Sequence, residues 1–134
     1  MIAYLSLGTN LGDKRKNIAE AINYIGELVG DVVRQSALYE TEPWGFRSDN
    51  RFVNAAVCVD TRLSPRRLLE VTQRIEREMG RTLKSDGGEY HDRIIDIDIL
   101  MIDDLVINEP DLHVPHPLME ERDFVMIPLK EILK

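Results

Sequence analysis

The run Ile94-Ile95-Asp96-Ile97-Asp98-Ile99-Leu100 constrains the fold more than any other stretch of the chain. Apolar and acidic residues alternate in it with a period of two, which marks a strand with one face in a core. On a strand, residues i and i+2 face the same side, roughly 6–7 Å apart. Ile95, Ile97 and Ile99 then bury one face, and Asp96 and Asp98 present two carboxylates together on the other. Like charges at neighbouring same-face positions repel, so an idle strand seldom carries such a pair. A hard divalent cation relieves the repulsion, and Mg²⁺ is typically held by one or two carboxylates plus substrate phosphates. A solvated strand face is the alternative; the apolar character of the rest of the strand favours the metal.

The other elements follow from apolar periodicity and punctuation. Ile2 to Leu7 reads as a buried strand bounded by Gly8-Thr9-Asn10. From Asp13 the spacing of Ile18, Ala21, Ile22, Ile25, Leu28 and Val29 is helical, with Gly30-Asp31 as the stop. Val32 to Tyr39 and Phe52 to Asp60 read as strands, with Thr41 to Asn50 a long loop between them. Ser64-Pro65 starts a second helix, with Ser as N-cap and Pro at the first helical position, and Gly80 ends it. A polar loop, Arg81 to Arg93, precedes the strand Ile94 to Ile102. Leu105 to Ile107 reads as a short extended piece. The tail carries the Val114-Pro115-His116-Pro117 turn and a helical segment, Phe124 to Leu133, interrupted near Pro128.

The order βαββαβ, with two helices on one face of a mostly antiparallel four-stranded sheet, is the α+β ferredoxin-like sandwich, here with a short C-terminal extension. At 134 residues the chain is expected to form a single domain over 1–134. That topology selects no function. Two loops are longer than it requires, and loops of that length are usually functional.

Composition excludes some classes. With 24 acids against 17 bases the net charge is -7, which opposes nucleic-acid binding but leaves room for a small phosphate ligand held by a local cluster of bases. No apolar run approaches the roughly 18 residues that span a bilayer, and the N-terminus lacks signal-peptide features. Cys58 is the one cysteine, so no intrachain disulfide forms and a cytoplasmic location is expected.

Around the carboxylate pair lie Arg74, Arg77, Arg81, Lys84, Arg93 and Arg122. Arg74 and Arg77 read as solvated helix surface. Arg81, Arg93 and Arg122 lie in or beside loops, where a guanidinium can clamp a phosphate. Carboxylates flanked by loop arginines suit phosphoryl transfer, which depends on positioning and charge neutralisation. Gly8-Thr9-Asn10-Leu11-Gly12 lacks the ending of a P-loop and reads as a turn and helix cap. His113 and His116 lack the partners of a zinc motif; a nucleotide contact by His116 stands beside a plain surface role. Cys58 reads as packing. Phe52, Phe124 and Trp44 suggest a slot for a flat ring, and Asn54 shares the Phe52 strand face with a donor and an acceptor for a ring edge.

Taken together these residues are familiar. Leu5 to Asp13, Tyr39-Glu40-Thr41, Phe52 to Val57, Gln73 to Glu76, Arg93 to Asp98, Val114-Pro115-His116, and Arg122 with Phe124 occur in an order that resembles the 6-hydroxymethyl-7,8-dihydropterin pyrophosphokinase family over nearly the whole chain. The resemblance implies transfer of pyrophosphate from ATP to the pterin hydroxymethyl group in folate biosynthesis, releasing AMP. It implies a monomer with two Mg²⁺ ions, bound with ATP, and loops that close over the site. By the same resemblance, Asp96 and Asp98 hold the metals. Phe52 and Phe124 sandwich the pterin, and Asn54 with the backbone around Thr41 and Trp44 reads its edge. Gln73, Glu76, Arg81, Tyr90, Arg93, His116 and Arg122 line the ATP side, and Arg81 and Arg93 stabilise transition-state charge. Tyr90 matches a Trp of the best-known members.

The chain departs from that pattern in four places. His91-Asp92 replaces Gly-Pro, the Lys84 to Tyr90 loop is longer and acidic, Asp111 stands where some members have Arg, and Glu42 replaces a Pro. Two other classes compete with the resemblance. A nucleotidyl transferase on this fold would use the carboxylates but not the Phe52/Asn54/Phe124 slot. A non-catalytic ligand-sensing module would need neither the carboxylates nor the loop arginines.

Overall fold

The computed structural model describes residues 1–41, 51–80 and 94–133. The Arg81 to Arg93 loop and positions 42–50 therefore lie outside the described residues, and with them Trp44, Arg81, Lys84, Tyr90 and Arg93.

Eight residues of unbroken apolar and small character form β1 (Ile2–Thr9). It runs on through Gly8 and Thr9, two residues past the expected boundary. The turn follows at Gly12, whose φ of 67° suits a residue without Cβ. Asp13 caps α1 (Lys14–Leu28), its carboxylate accepting the Lys16 N–H at 3.2 Å. The cap is thus Asp13, and the glycine-bearing stretch before it divides between strand and turn.

The expected strand Val32 to Tyr39 is two strands, β2 (Gly30–Gln35) and β3 (Tyr39–Thr41), both paired with β4 (Phe52–Thr61). Ser36 causes the break. Its backbone N–H donates to Ala56 O at 2.9 Å, but the Ala56 N–H is taken by the Ser36 hydroxyl, also at 2.9 Å, instead of by a ladder carbonyl. α2 (Pro65–Met79) begins and ends as its residues dictate: Ser64 Oγ accepts the Arg67 N–H at 3.2 Å, and Gly80 is the C-cap. The acidic strand is β5 (Asp96–Ile102), starting two residues later than expected. In place of one extended piece the chain forms a hairpin of β6 (Ile107–Glu109) and β7 (Leu112–Val114). Its Asp111 carboxylate is held by Arg66 of α2 at 2.7 Å, which also lowers the acid's pKa.

Strand order is β2-β4-β1-β5, with β3 continuing along β4 beyond β2 and all pairs antiparallel. This is the split βαβ arrangement expected. The main core lies between the sheet and α1 and α2: Leu5, Leu7, Val57, Val59, Ile97 and Ile99 meet Ile18, Ile25, Leu68 and Ile75.

The tail departs from expectation. α3 (Asp123–Ile132) is one helix with Pro128 inside it. A proline there removes one i→i−4 hydrogen bond, and burial of its ring offsets part of that cost. The helix is no mere extension. Val125, Leu129 and Ile132 pack on Ala56, Cys58 and Leu100, a second core on the opposite sheet face from α1 and α2. Helices therefore cover both faces, and Cys58 is buried packing.

Candidate active site

α3 covers only part of that second face. The remainder is the end of the sheet where β4, β1 and β5 carry Asn54, Gly8 and Asp96 in one row, with Tyr39 of β3 opposite Asn54. The next row is Ala56, Ser6 and Asp98. With strands spaced about 4.8 Å, the Asn54 and Asp96 positions are about 10 Å apart across Gly8.

Asp96 and Asp98 are half-exposed while Ile95, Ile97 and Ile99 are buried, as the alternation demands. Glu76 joins them from α2. Its Oε2 accepts the Ile97 backbone N–H at 2.8 Å, between the two aspartates, and its carboxyl is hydrogen-bonded to Asp96. Burial, aided by the charges of Asp96 and Asp98, pushes its pKa up to about 8, so it holds a proton at neutral pH. One turn earlier on the same helix, Gln73 is exposed, as are Arg74 and Arg77.

Gly8 is the floor of the site. A Cβ there would stand 3.1 Å from Asn54 Oδ1 and 3.6 Å from the Phe52 ring. Asn54 is buried and Phe52 half-buried above it. Glycine inside a strand commonly marks a close approach by ligand or backbone, a signal the turn reading of this stretch passes over. Ser6, between Ala56 and Asp98, is likewise a buried polar residue that periodicity does not single out.

The third side comes from the tail. Phe124, in the first turn of α3, packs on the second core, and the Arg122 guanidinium lies 5.7 Å from its ring centroid. The His116 backbone N–H donates to Leu100 O at 2.9 Å. Its Nδ1 accepts the Leu118 N–H at 3.2 Å, which leaves the proton of the neutral ring on Nε2. Burial and then Arg122 lower its pKa, while Asp96 opposes them, so the neutral form prevails at pH 7. His113 is exposed.

Asp96, Asp98, Glu76, Asn54, Phe52, Phe124, His116 and Arg122 are thus gathered at one end of the sheet and its β5 edge. Thr41 pairs with Phe52 at its margin. Among the described residues no three or more acidic, histidine or cysteine side chains are arranged to enclose a metal ion. Two hard carboxylates on an open face match what Mg²⁺ uses when phosphate oxygens supply the remaining ligands.

Comparison with known proteins shows the family of the chain. Residues 4–134 match the family model of 7,8-dihydro-6-hydroxymethylpterin-pyrophosphokinase (HPPK). The 2-amino-4-hydroxy-6-hydroxymethyldihydropteridine pyrophosphokinase of Porphyromonas gingivalis is 49% identical over 98% of this chain and 90% of its own length. The enzyme of that name from Bacillus subtilis is 42% identical over 98% and 77%. The HPPK-DHPS of Plasmodium falciparum shares the fold, with a TM-score of 0.76 at 21% identity; the match covers 98% of this chain and 41% of that one. No described helix is long and apolar enough to cross a membrane. The chain belongs to the 7,8-dihydro-6-hydroxymethylpterin-pyrophosphokinase family and is a pyrophosphokinase of folate synthesis.

Proposed function

We propose that this pyrophosphokinase takes its pyrophosphate from ATP, binds two Mg²⁺ ions with the nucleotide through Asp96 and Asp98, and acts as a monomeric, single-domain cytoplasmic enzyme over residues 1–134. The pterin ring lies between Phe52 and Phe124 over Gly8. The Asn54 amide and the backbone around Thr41 and Trp44 pair with its edge. ATP occupies the β5 side, along Gln73, Glu76, His116 and Arg122, with Arg81, Tyr90 and Arg93 contributed from the loop between α2 and β5. The observation that carries this reading is the Asn54–Gly8–Asp96 row, which sets a ring-binding wall and a carboxylate pair on one face about 10 Å apart.

The hydroxymethyl oxygen attacks the β-phosphorus in line. An O–P bond forms, the bond from Pβ to the α,β-bridging oxygen breaks, AMP departs with that electron pair, and the hydroxyl proton is released. Mg²⁺, when bound, neutralises triphosphate charge and polarises the transferring group. The protein's own residues hold the two substrates from opposite sides of the Gly8 row so that the hydroxymethyl oxygen meets the β-phosphorus, and exclude water between them. His116, neutral with Nε2–H outward, donates a hydrogen bond to the nucleotide without adding charge. Arg81, Arg93 and Arg122 supply the cations that carboxylates alone cannot.

Isothermal titration with a non-hydrolysable ATP analogue and 6-hydroxymethyl-7,8-dihydropterin, with and without Mg²⁺, tests the reading. Nucleotide binding should require Mg²⁺ and the two ligands should bind synergistically. Phe124→Ala should weaken pterin binding at least about fivefold, since stacking on one ring is worth on the order of 1–3 kcal/mol. Nucleotide binding without a pterin effect would point to a nucleotidyl transferase, and pterin binding without Mg²⁺-dependent nucleotide binding to a sensing module. Light scattering in solution checks the monomer.

A further inference from the structure

The two walls of the pterin slot belong to different elements. Phe52 and Asn54 are on β4, and Phe124 is on α3, whose contact with the sheet is apolar. Val125, Leu129 and Ile132 hold α3 against the sheet through apolar packing, which is non-directional, so directional bonds add to what sets its position along it. Directional bonds of this kind stand at the far end of the helix. Glu131 accepts the Ala37 N–H with both carboxylate oxygens, at 3.2 and 3.0 Å, and also accepts the Tyr39 hydroxyl. Beside it, Arg34 Nη1 donates to the Ile132 carbonyl at 3.1 Å.

The segment that Glu131 grips is itself tied to β4. Ser36 exchanges two bonds with Ala56, and Tyr39 pairs directly with Asn54. A closed circuit results: from Asn54 on β4, through Tyr39 to Glu131, and back along α3 to Phe124. Phe124 and Glu131 are separated by seven positions, nearly two full turns, so they lie on one face of the helix about 10 Å apart along its axis. A small pivot at one end therefore moves the ring at the other.

We infer that Glu131 is a positioning residue for the pterin slot, setting through Ala37 and Tyr39 where α3 sits along the sheet and hence how far Phe124 stands from the Phe52–Asn54 wall. This rests on the slot reading given above. Glu131 is exposed and touches neither substrate site nor carboxylate pair, so its loss leaves both cores intact. Tyr39 responds to the same contact: its hydroxyl donates a hydrogen bond to the Glu131 carboxylate, which raises the phenol's pKa.

The test measures pterin and nucleotide-analogue affinity, KM and kcat, and melting temperature for the full chain and for Glu131→Ala, Glu131→Gln, Tyr39→Phe and Phe124→Ala. Glu131→Ala should weaken pterin binding and raise its KM about three- to tenfold, the range of one or two lost hydrogen bonds, with nucleotide binding and kcat nearly unchanged. Glu131→Gln keeps an acceptor for Ala37 and Tyr39 and should restore most of the loss. Tyr39→Phe should give a smaller pterin defect that does not add to that of Glu131→Ala. Unchanged pterin affinity in Glu131→Ala, alongside a defect in Phe124→Ala, overturns the positioning role and spares the slot. Equal losses for pterin and nucleotide overturn it too, because they report general loosening. If Phe124→Ala itself binds pterin normally, the slot reading falls and this inference with it.

Discussion

Glu76 Oε2 accepts the backbone N–H of Ile97 at 2.8 Å, and this bond joins α2 to the strand that carries the aspartate pair. Among the described residues β5 is an edge of the sheet, paired with β1 alone, so its outward N–H groups need partners from elsewhere. A carboxyl group from the helix meets that need at the point between Asp96 and Asp98. The same placement brings a third acid beside two others, and burial holds it protonated. Edge closure and site chemistry are therefore linked in one residue.

That link predicts a pH dependence of stability in the metal-free protein. Unfolded, the Glu76 carboxyl ionises near its ordinary value of 4.5; folded, it keeps its proton to about 8. Between these values the unfolded state has released a proton that the folded state retains, so stability falls as pH rises through the window. Glu76→Gln keeps an acceptor for Ile97 and a donor for Asp96 without titrating. In chelator, its melting temperature should fall less than that of the parent between about pH 5 and pH 8.5. Parallel melting curves across that range would contradict the half-buried, protonated Glu76.

Asp96→Asn and Asp98→Asn should fold normally, because asparagine is nearly isosteric and like-charge repulsion is removed. Both should lose nearly all AMP formation, and the synergy between nucleotide and pterin should shrink. AMP release and thermal melting are measured on the same samples. Full activity in either variant would rule out the two-metal arrangement.

Gly8→Ala puts a Cβ 3.1 Å from Asn54 Oδ1. Asn54 is buried and its strand is fixed on both sides, so the amide must shift from the slot. Pterin affinity should fall severalfold, on the order of 1 kcal/mol, while melting changes little. An unchanged pterin KM would show that the floor has room to spare.

Arg93→Ala should lower turnover roughly 10²–10³-fold, the scale of one well-placed donor to developing charge, with a smaller loss of ground-state nucleotide binding. Arg81→Ala should be milder, since Arg93 is closer in sequence to the metal strand. Unchanged kcat with weaker binding alone would make Arg93 a positioning group.

What the sequence alone determined is local. A period of two in Asp96 to Ile99 puts both carboxylates on one face, because side-chain alternation along a strand needs no tertiary partner. Ser64, Pro65 and Gly80 delimit α2 through capping and φ preferences that act within a turn. The pairing of Phe52 with Asn54, two residues apart, was legible for the same reason. Tertiary structure decided everything that depends on register between distant segments. Only strand pairing sets Gly8 between Asn54 and Asp96, and so makes a strand glycine the floor of a site. Ser36 breaks a strand because Ala56 lies opposite it, a relation across 20 positions. The tail becomes a second core because the even-numbered side of β4 carries Ala56 and Cys58, an apolar surface that α3 can cover although Pro128 costs it a hydrogen bond. Glu131 reaches Tyr39 across 92 positions. Local preference has no record of such contacts; they arise when burying both sheet faces brings the segments together.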